Sequence, residues 1–178
     1  LTTYQTACRL DQGGKLGAES STNKIFWSEL DQAMHATAMS ILGARAELRQ
    51  SLGYRPDERV CIVTVGGSGV GTHLIRRILQ AWPLAHARLP ELRMVLVAGP
   101  RIDPRSIAPP AGVEVHAFVP DLPRLLAACD IAVVQGGLTT TMELAAAGRP
   151  FVYVPLRHHF EQNLHVRHRL ERYAAGRC

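Results

Sequence analysis

IAVVQGGLTTTMELAAAGRPFVYVP, residues 131–155, reads as a strand, a helix and a second strand in succession. IAVVQ (131–135) and FVYVP (151–155) are short apolar runs, and residues 139–147 between them carry a helical pattern. Runs this short and this uniformly apolar suit strands buried on both faces. The same alternation extends outward. VCIVTV (60–65), LRMVLVAG (92–99) and VEVHAFV (113–119) predict three earlier strands. Helices are expected over about 71–81, 121–130 and 160–172, the first ending near Pro83 and the second carrying Pro123 in its first turn. Strands alternating with helices mean an α/β fold: a Rossmann-like, doubly wound parallel sheet covered on both faces.

Upstream the pattern differs. Residues 1–22 are polar and aperiodic and are expected to form a tail. From Ser28 to about Leu52 the period is helical, predicting two helices hinged near Gly43 and stopped by Gly53. Two regions follow: an N-terminal tail and helical extension over 1–55, and a sheet domain over 56–178.

Composition narrows the function classes. A hydrophobic fraction of 47% with 20% charged residues is that of a globular protein. No apolar run reaches the ~18–20 residues of a membrane span. LTTYQTACRL at the start lacks a basic segment followed by an apolar one, so no secretory signal is visible. Cys8, Cys61, Cys129 and Cys178 are scattered without metal-ligand spacing. Cys61 and Cys129 lie in or beside apolar runs, as buried thiols of a reducing compartment would, and a cytoplasmic location is expected. From residue 149 onward Arg149, Arg157, Arg167, Arg169, Arg172 and Arg177 outnumber Glu161 and Glu171. That excess forms either a solvated helix face or a surface attracting phosphate groups, nucleic acid or an anionic membrane.

In open α/β sheets, ligands bind beyond the C-terminal ends of the strands. GGSGVG (66–71), FVPD (118–121), QGGLTTTME (135–143) and PLRHHFEQN (155–163) are therefore delivered to one rim. In the first, Gly67 and Ser68 lead into a helix whose N–H groups can cradle a phosphate, although a plain tight turn fits as well. Thr72 follows Gly71 where a dinucleotide fingerprint needs glycine and a P-loop needs lysine, so neither motif is present. Gly136 and Gly137 permit close backbone approach, and Thr139 and Thr140 stand at a helix start suited to a diphosphate. Glu143, one turn further, can accept from two vicinal hydroxyls, while Thr140-Thr141-Met142-Glu143 equally fits a capping box. Glu161 and Gln162 begin another helix and can bridge sugar hydroxyls, or simply complement its dipole. His159 suits a phosphate or hydroxyl contact better than a metal, since His158, His159, His165 and His168 lack a metal-ligand spacing. No GxSxG elbow exists.

Taken in order, GGSGVG, HAFVPDLPRLLAACDIAVVQGGLTTTMELAAAGRPFVYVPL and EQN resemble the C-terminal, donor-binding half of GT-B glycosyltransferases, most closely those of family 28. The likeness covers about residues 58–175. It implies that Phe118 and Val119 hold a uracil through backbone groups and that Glu143 binds the ribose. It places Gly137, Thr139 and Thr140 at the diphosphate, Ser68 near the phosphates, and Glu161 and Gln162 on the donor sugar. Gln135 departs from the family, whose members often have His or Arg there.

The resemblance thus implies a UDP-sugar (UDP-GlcNAc or a UDP-hexose) binding half of an inverting glycosyltransferase, needing no metal or other cofactor. The catalytic base is expected on a separate acceptor-binding domain or subunit, because about 57 residues before the first strand are too few for that half. The sheet domain is expected to be truncated at Gly176-Arg177-Cys178. Peripheral association with the inner membrane face fits this setting, and no nucleic-acid partner is expected. A non-catalytic donor-binding subunit and a nucleotide-sugar epimerase are the alternatives.

Overall fold

The computed structural model describes residues 2–15 and 17–178, without the side chains of 2, 3, 18–20, 23 and 35–42. The chain divides into two compact units, Leu1–Ala44 and Arg45–Cys178. The division falls before the 55/56 boundary read from sequence, because Arg45 and Arg49 are bonded into the sheet unit.

The first unit is helical. Helix α1 spans Thr2–Asp11 and α2 begins at Ala18, where the sequence predicts an aperiodic tail. α1 has few apolar residues to mark a period, so pattern reading misses it. α2 runs on to Ser51 but breaks at Gly43, whose φ of 64° and ψ of 176° suit a residue without Cβ. The hinge expected there is present. Among the described residues, no helix is long and apolar enough to cross a membrane.

The second unit holds a five-stranded sheet, ordered β3-β2-β1-β4-β5, with every neighbouring pair parallel. β1 spans Arg59–Thr64, β2 Leu92–Val97, β3 Val113–His116, β4 Ile131–Val134 and β5 Phe151–Tyr153. Alternation along β1 explains its uninterrupted apolar run. Val60 and Ile62 pack into a core with Leu126, Val134, Leu144, Phe151, Val166 and Leu170. Cys61 and Val63 face the opposite core with Ile75, Trp82, Met94 and Leu96. Both faces are buried, so both parities must be apolar. The connection from β1 to β2 lies on one face and those around β4 on the other. Strand order therefore reverses between β1 and β4.

Helix α3 spans Thr72–Arg88 and passes through Pro83, where the sequence predicts an end. Pro83 lies on the exposed side, while the adjacent Trp82 is buried, donates from Nε1 to the Ala111 carbonyl at 3.0 Å and stacks on His86. This anchoring, on residues either side of the proline, offsets the roughly 3 kcal/mol a helix-interior proline costs. β3 ends at His116 rather than Val119, and α4 covers Leu122–Ala128 with Pro123 in its first turn, as expected. α5 covers Leu138–Ala146. The last helix is not regular: Glu161–Val166 forms a π-helical turn that passes into α6, Arg167–Arg172.

A charged clamp secures the edge of the sheet opposite the ligand rim. Asp130 Oδ2 accepts from the Val60 N–H at 2.8 Å and from Arg49 at 2.9 Å, and Arg45 pairs with Oδ1 at 2.6 Å. Burial alone would raise the Asp130 carboxyl, but the Val60 N–H and the two arginines outweigh it and hold it below the usual range.

Candidate functional site

The crevice at the switch point between β1 and β4 is a cleft of about 430 Å³. Its walls come from three stretches of chain: Thr64–Ser68 with Val70, Val134–Gly137 with Thr140, and Leu156 with His159 and Gln162, Gly136 itself excepted. Of the neighbourhoods expected to converge, FVPD alone contributes nothing to these walls. The cleft carries no lysine, arginine, aspartate or glutamate, and His159 is its one titratable side chain among the described residues.

The glycines in and around the walls fall into two kinds. A Cβ on Gly71 would overlap the Val65 side chain, and one on Gly99 would overlap the Gly66 carbonyl. Those positions are glycine because the loops after β1 and β2 pack tightly, which supports the turn reading for part of GGSGVG. Gly136 has a φ of 78° beside Tyr153 and Pro155, so it shapes the turn out of β4. Gly137 and Gly67 differ. Neither has positive φ, a Cβ on Gly137 would meet nothing within 4 Å, and one on Gly67 would only graze Pro100 at 4.0 Å. Both line the cleft, and packing does not require their lack of a side chain.

Gly137 is the N-cap of α5 and no side chain caps that end. The capping-box alternative for Thr140 and Glu143 therefore fails. Thr141 is fully buried and returns its hydroxyl to the Gly137 and Leu138 carbonyls at 2.9 and 3.0 Å. The first-turn N–H groups at Leu138, Thr139 and Thr140 consequently have no helical or side-chain partner among the described residues. Backbone donors at a helix start attract anions through their own polarity and the helix dipole.

The third wall is built by a small hydrogen-bond bracket. Gln162 is 8% exposed, and its Oε1 accepts from the Leu156 N–H at 2.8 Å. Asn163 Nδ2 donates to the carbonyls of Leu156 and His159 at 2.7 and 2.9 Å. The Gln162 N–H reaches Nδ1 of His159 at 3.4 Å. With Nδ1 accepting, a neutral imidazole carries its proton on Nε2 and presents a donor. Sequence reading selects Gln162 for the sugar, whereas here its carbonyl end holds the loop. Asn163 enters the sequence reading only within the EQN motif, and its role as a loop clasp has no signal in spacing alone.

The remaining candidates lie outside the cleft walls. Thr139 is exposed on the first turn of α5. Glu143 is half-buried one turn beyond Thr140, and its carboxylate makes no hydrogen bond or ion pair with another described residue. Phe118 is 63% exposed and Val119 half-buried on the loop leaving β3. Glu161 is exposed at the start of the π-helical turn. Of the wall residues, Thr64, Val65 and Val134 lie outside every neighbourhood singled out from sequence, because the ends of apolar strands carry no motif to mark them.

A model of the glycosyltransferase family 28 C-terminal domain matches residues 60–176. The UDP-N-acetylglucosamine–N-acetylmuramyl-(pentapeptide) pyrophosphoryl-undecaprenol N-acetylglucosamine transferase of Methylobacterium radiotolerans is 34% identical over 113 residues, covering 58% of this chain and 30% of that protein. Its namesake in Mycolicibacterium vanbaalenii is 33% identical over 125 residues, covering 67% and 30% respectively. Among solved structures, the glycosyltransferase SnogD of Streptomyces nogalater superposes with a TM-score of 0.56 at 27% identity, over 71% of this chain and 32% of that one. The matched region thus spans about a third of each of these relatives.

Proposed function

The chain belongs to the glycosyltransferase family 28 C-terminal domain family, and we propose that it is the donor-binding half of an inverting glycosyltransferase that takes a UDP-sugar. One observation carries this reading: a cleft at the strand-order switch point, lined by no carboxylate, lysine or arginine, with an uncapped helix start and two glycines on its walls that packing does not require. A diphosphate seated against Leu138–Thr140 accepts from free peptide N–H groups, and Gly137 leaves it room to approach. The half-buried Glu143 carboxylate, without a partner among the described residues, suits the ribose beyond. His159 offers a donor from the opposite wall.

The chemistry follows from that placement. An acceptor hydroxyl oxygen forms a bond to the anomeric carbon as the bond from that carbon to the diphosphate oxygen breaks. The electron pair leaves on the diphosphate, where the α5 N–H groups are preorganised to stabilise the growing charge. The hydroxyl proton passes to a base on the acceptor-binding domain or subunit. In this reading no metal is needed, because the peptide donors of α5 receive the charge of the diphosphate. The sugar is N-acetylglucosamine or a hexose, and the enzyme works at the inner face of the membrane. The absence of any carboxylate from the cleft walls favours this half-site over an epimerase, which needs acid and base groups around the sugar. Titration calorimetry of the 178-residue chain with UDP and UDP-N-acetylglucosamine tests the proposal. Saturable binding supports it, and no heat at millimolar nucleotide ends it.

A further inference from the structure

Gln135 is the first residue after β4 and stands in the wall of the cleft, next to Gly136 and Gly137. It is 8% exposed, and its Oε1 is buried without a hydrogen-bond partner among the described residues. A buried carbonyl oxygen without a donor is destabilising, and folded proteins nearly always satisfy such groups. Its polar neighbours do not answer it: Thr64 Oγ1 accepts from the Gly66 N–H, Gln162 Oε1 accepts from the Leu156 N–H, and neither side chain donates to Gln135. The fold therefore leaves one buried acceptor in this wall unanswered.

The chemistry of the missing partner is constrained. The amide is uncharged, so it offers a diphosphate no ionic attraction. An ionised diphosphate has only acceptors, so it cannot satisfy a carbonyl oxygen; a sugar hydroxyl or an amide N–H can. The last torsion of a glutamine side chain is soft, so the amide can turn its oxygen toward an occupant of the cleft without leaving a rotamer well. We propose that Gln135 is a specificity-determining residue, whose side-chain oxygen accepts a hydrogen bond from a hydroxyl or amide N–H of the sugar carried by the nucleotide. The inference rests on the donor-binding reading above and adds the part of the donor that this position reads. Gln135 makes the cleft discriminate between a free nucleotide diphosphate and one bearing a sugar.

Gln135→Met keeps the length and bulk of the side chain and removes its hydrogen-bonding groups. In the full chain, calorimetry with UDP and with UDP-N-acetylglucosamine gives the test, alongside the thermal midpoint of each protein without ligand. The variant binds UDP within about twofold of the unaltered chain and UDP-N-acetylglucosamine roughly tenfold more weakly, the loss of one well-placed hydrogen bond. Its thermal midpoint is equal or higher, because an unsatisfied buried group has been removed. Equal weakening toward both ligands means that the amide reads the diphosphate and overturns the inference. So does unchanged affinity for both, or a lowered midpoint with the sugar preference intact, which marks a purely structural side chain. An unaltered chain that binds neither ligand is a different result, because it removes the donor-binding reading itself.

Discussion

The Leu156 N–H donates to the side-chain oxygen of Gln162 at 2.8 Å, so the loop walling one side of the cleft is held by the helix that follows it. Gln162→Ala leaves that N–H without its partner and is expected to cost about 1–3 kcal/mol of stability. Gln162→Glu, which keeps an acceptor in place, restores most of the loss. Urea unfolding of the two variants against the unaltered chain checks both.

Gly71 and Gly137 look alike in the sequence and should respond oppositely to substitution. Gly71→Ala drives a methyl into Val65, which is 2% exposed, and is expected to cost about 1–3 kcal/mol by overpacking. Gly137→Ser meets no obstruction and supplies a good N-cap, so the fold is unchanged or gains a few tenths of a kcal/mol. The new hydroxyl competes for the first-turn N–H groups of α5, so UDP affinity falls. Thermal melting paired with calorimetry separates the two effects.

This contrast also shows what the sequence could reveal. The strands were legible because burial on both faces writes an unbroken apolar run, as in VCIVTV, and the parallel order follows from the helices between them. The Gly43 hinge was legible too, since only a residue without Cβ takes that φ comfortably. Helix α1 was not, because TTYQTACRLD has too few apolar residues to show a period. Nor was the passage of α3 through Pro83, which depends on Trp82 reaching Ala111 far along the chain. At the site, Gly67, Ser68, Gly137, Thr140, His159 and Gln162 were named from sequence and line one cleft. The vacant acceptor on Gln135 depends on the whole surround of that oxygen, which no local pattern encodes.

Asp130 joins Arg45, Arg49 and the Val60 N–H, and its carboxyl is held below the ordinary range. A depressed carboxyl stabilises fully above its unfolded value near 4, and that stability drains as pH falls through the lowered folded value. Thermal midpoints should therefore fall steeply below about pH 4, and Asp130→Asn should flatten that limb while lowering the neutral-pH midpoint. Asp130→Ala, which leaves Arg49 largely buried and unpaired, is expected to cost about 3–5 kcal/mol.

Cys61 is pushed up to about 12, chiefly by burial and then by Cys129, and Cys129 rises to about 11, burial again leading. The thiolate is the reactive form, so both should resist alkylation at pH 8 in the folded protein. Exposed Cys178 and half-buried Cys8 should react first. Mass spectrometry after timed iodoacetamide treatment should find modification at 61 and 129 only in denaturant.

The central claim is that the free N–H groups opening α5 receive the diphosphate of a nucleotide. Amide-resolved NMR of the full chain during a UDP titration tests it most directly. Saturable shifts at Leu138, Thr139 and Thr140, with accompanying shifts at Gly67 and Ser68, are predicted. Saturable shifts confined elsewhere, such as the groove between α3 and residues 106–110, with the α5 amides unmoved, would contradict it.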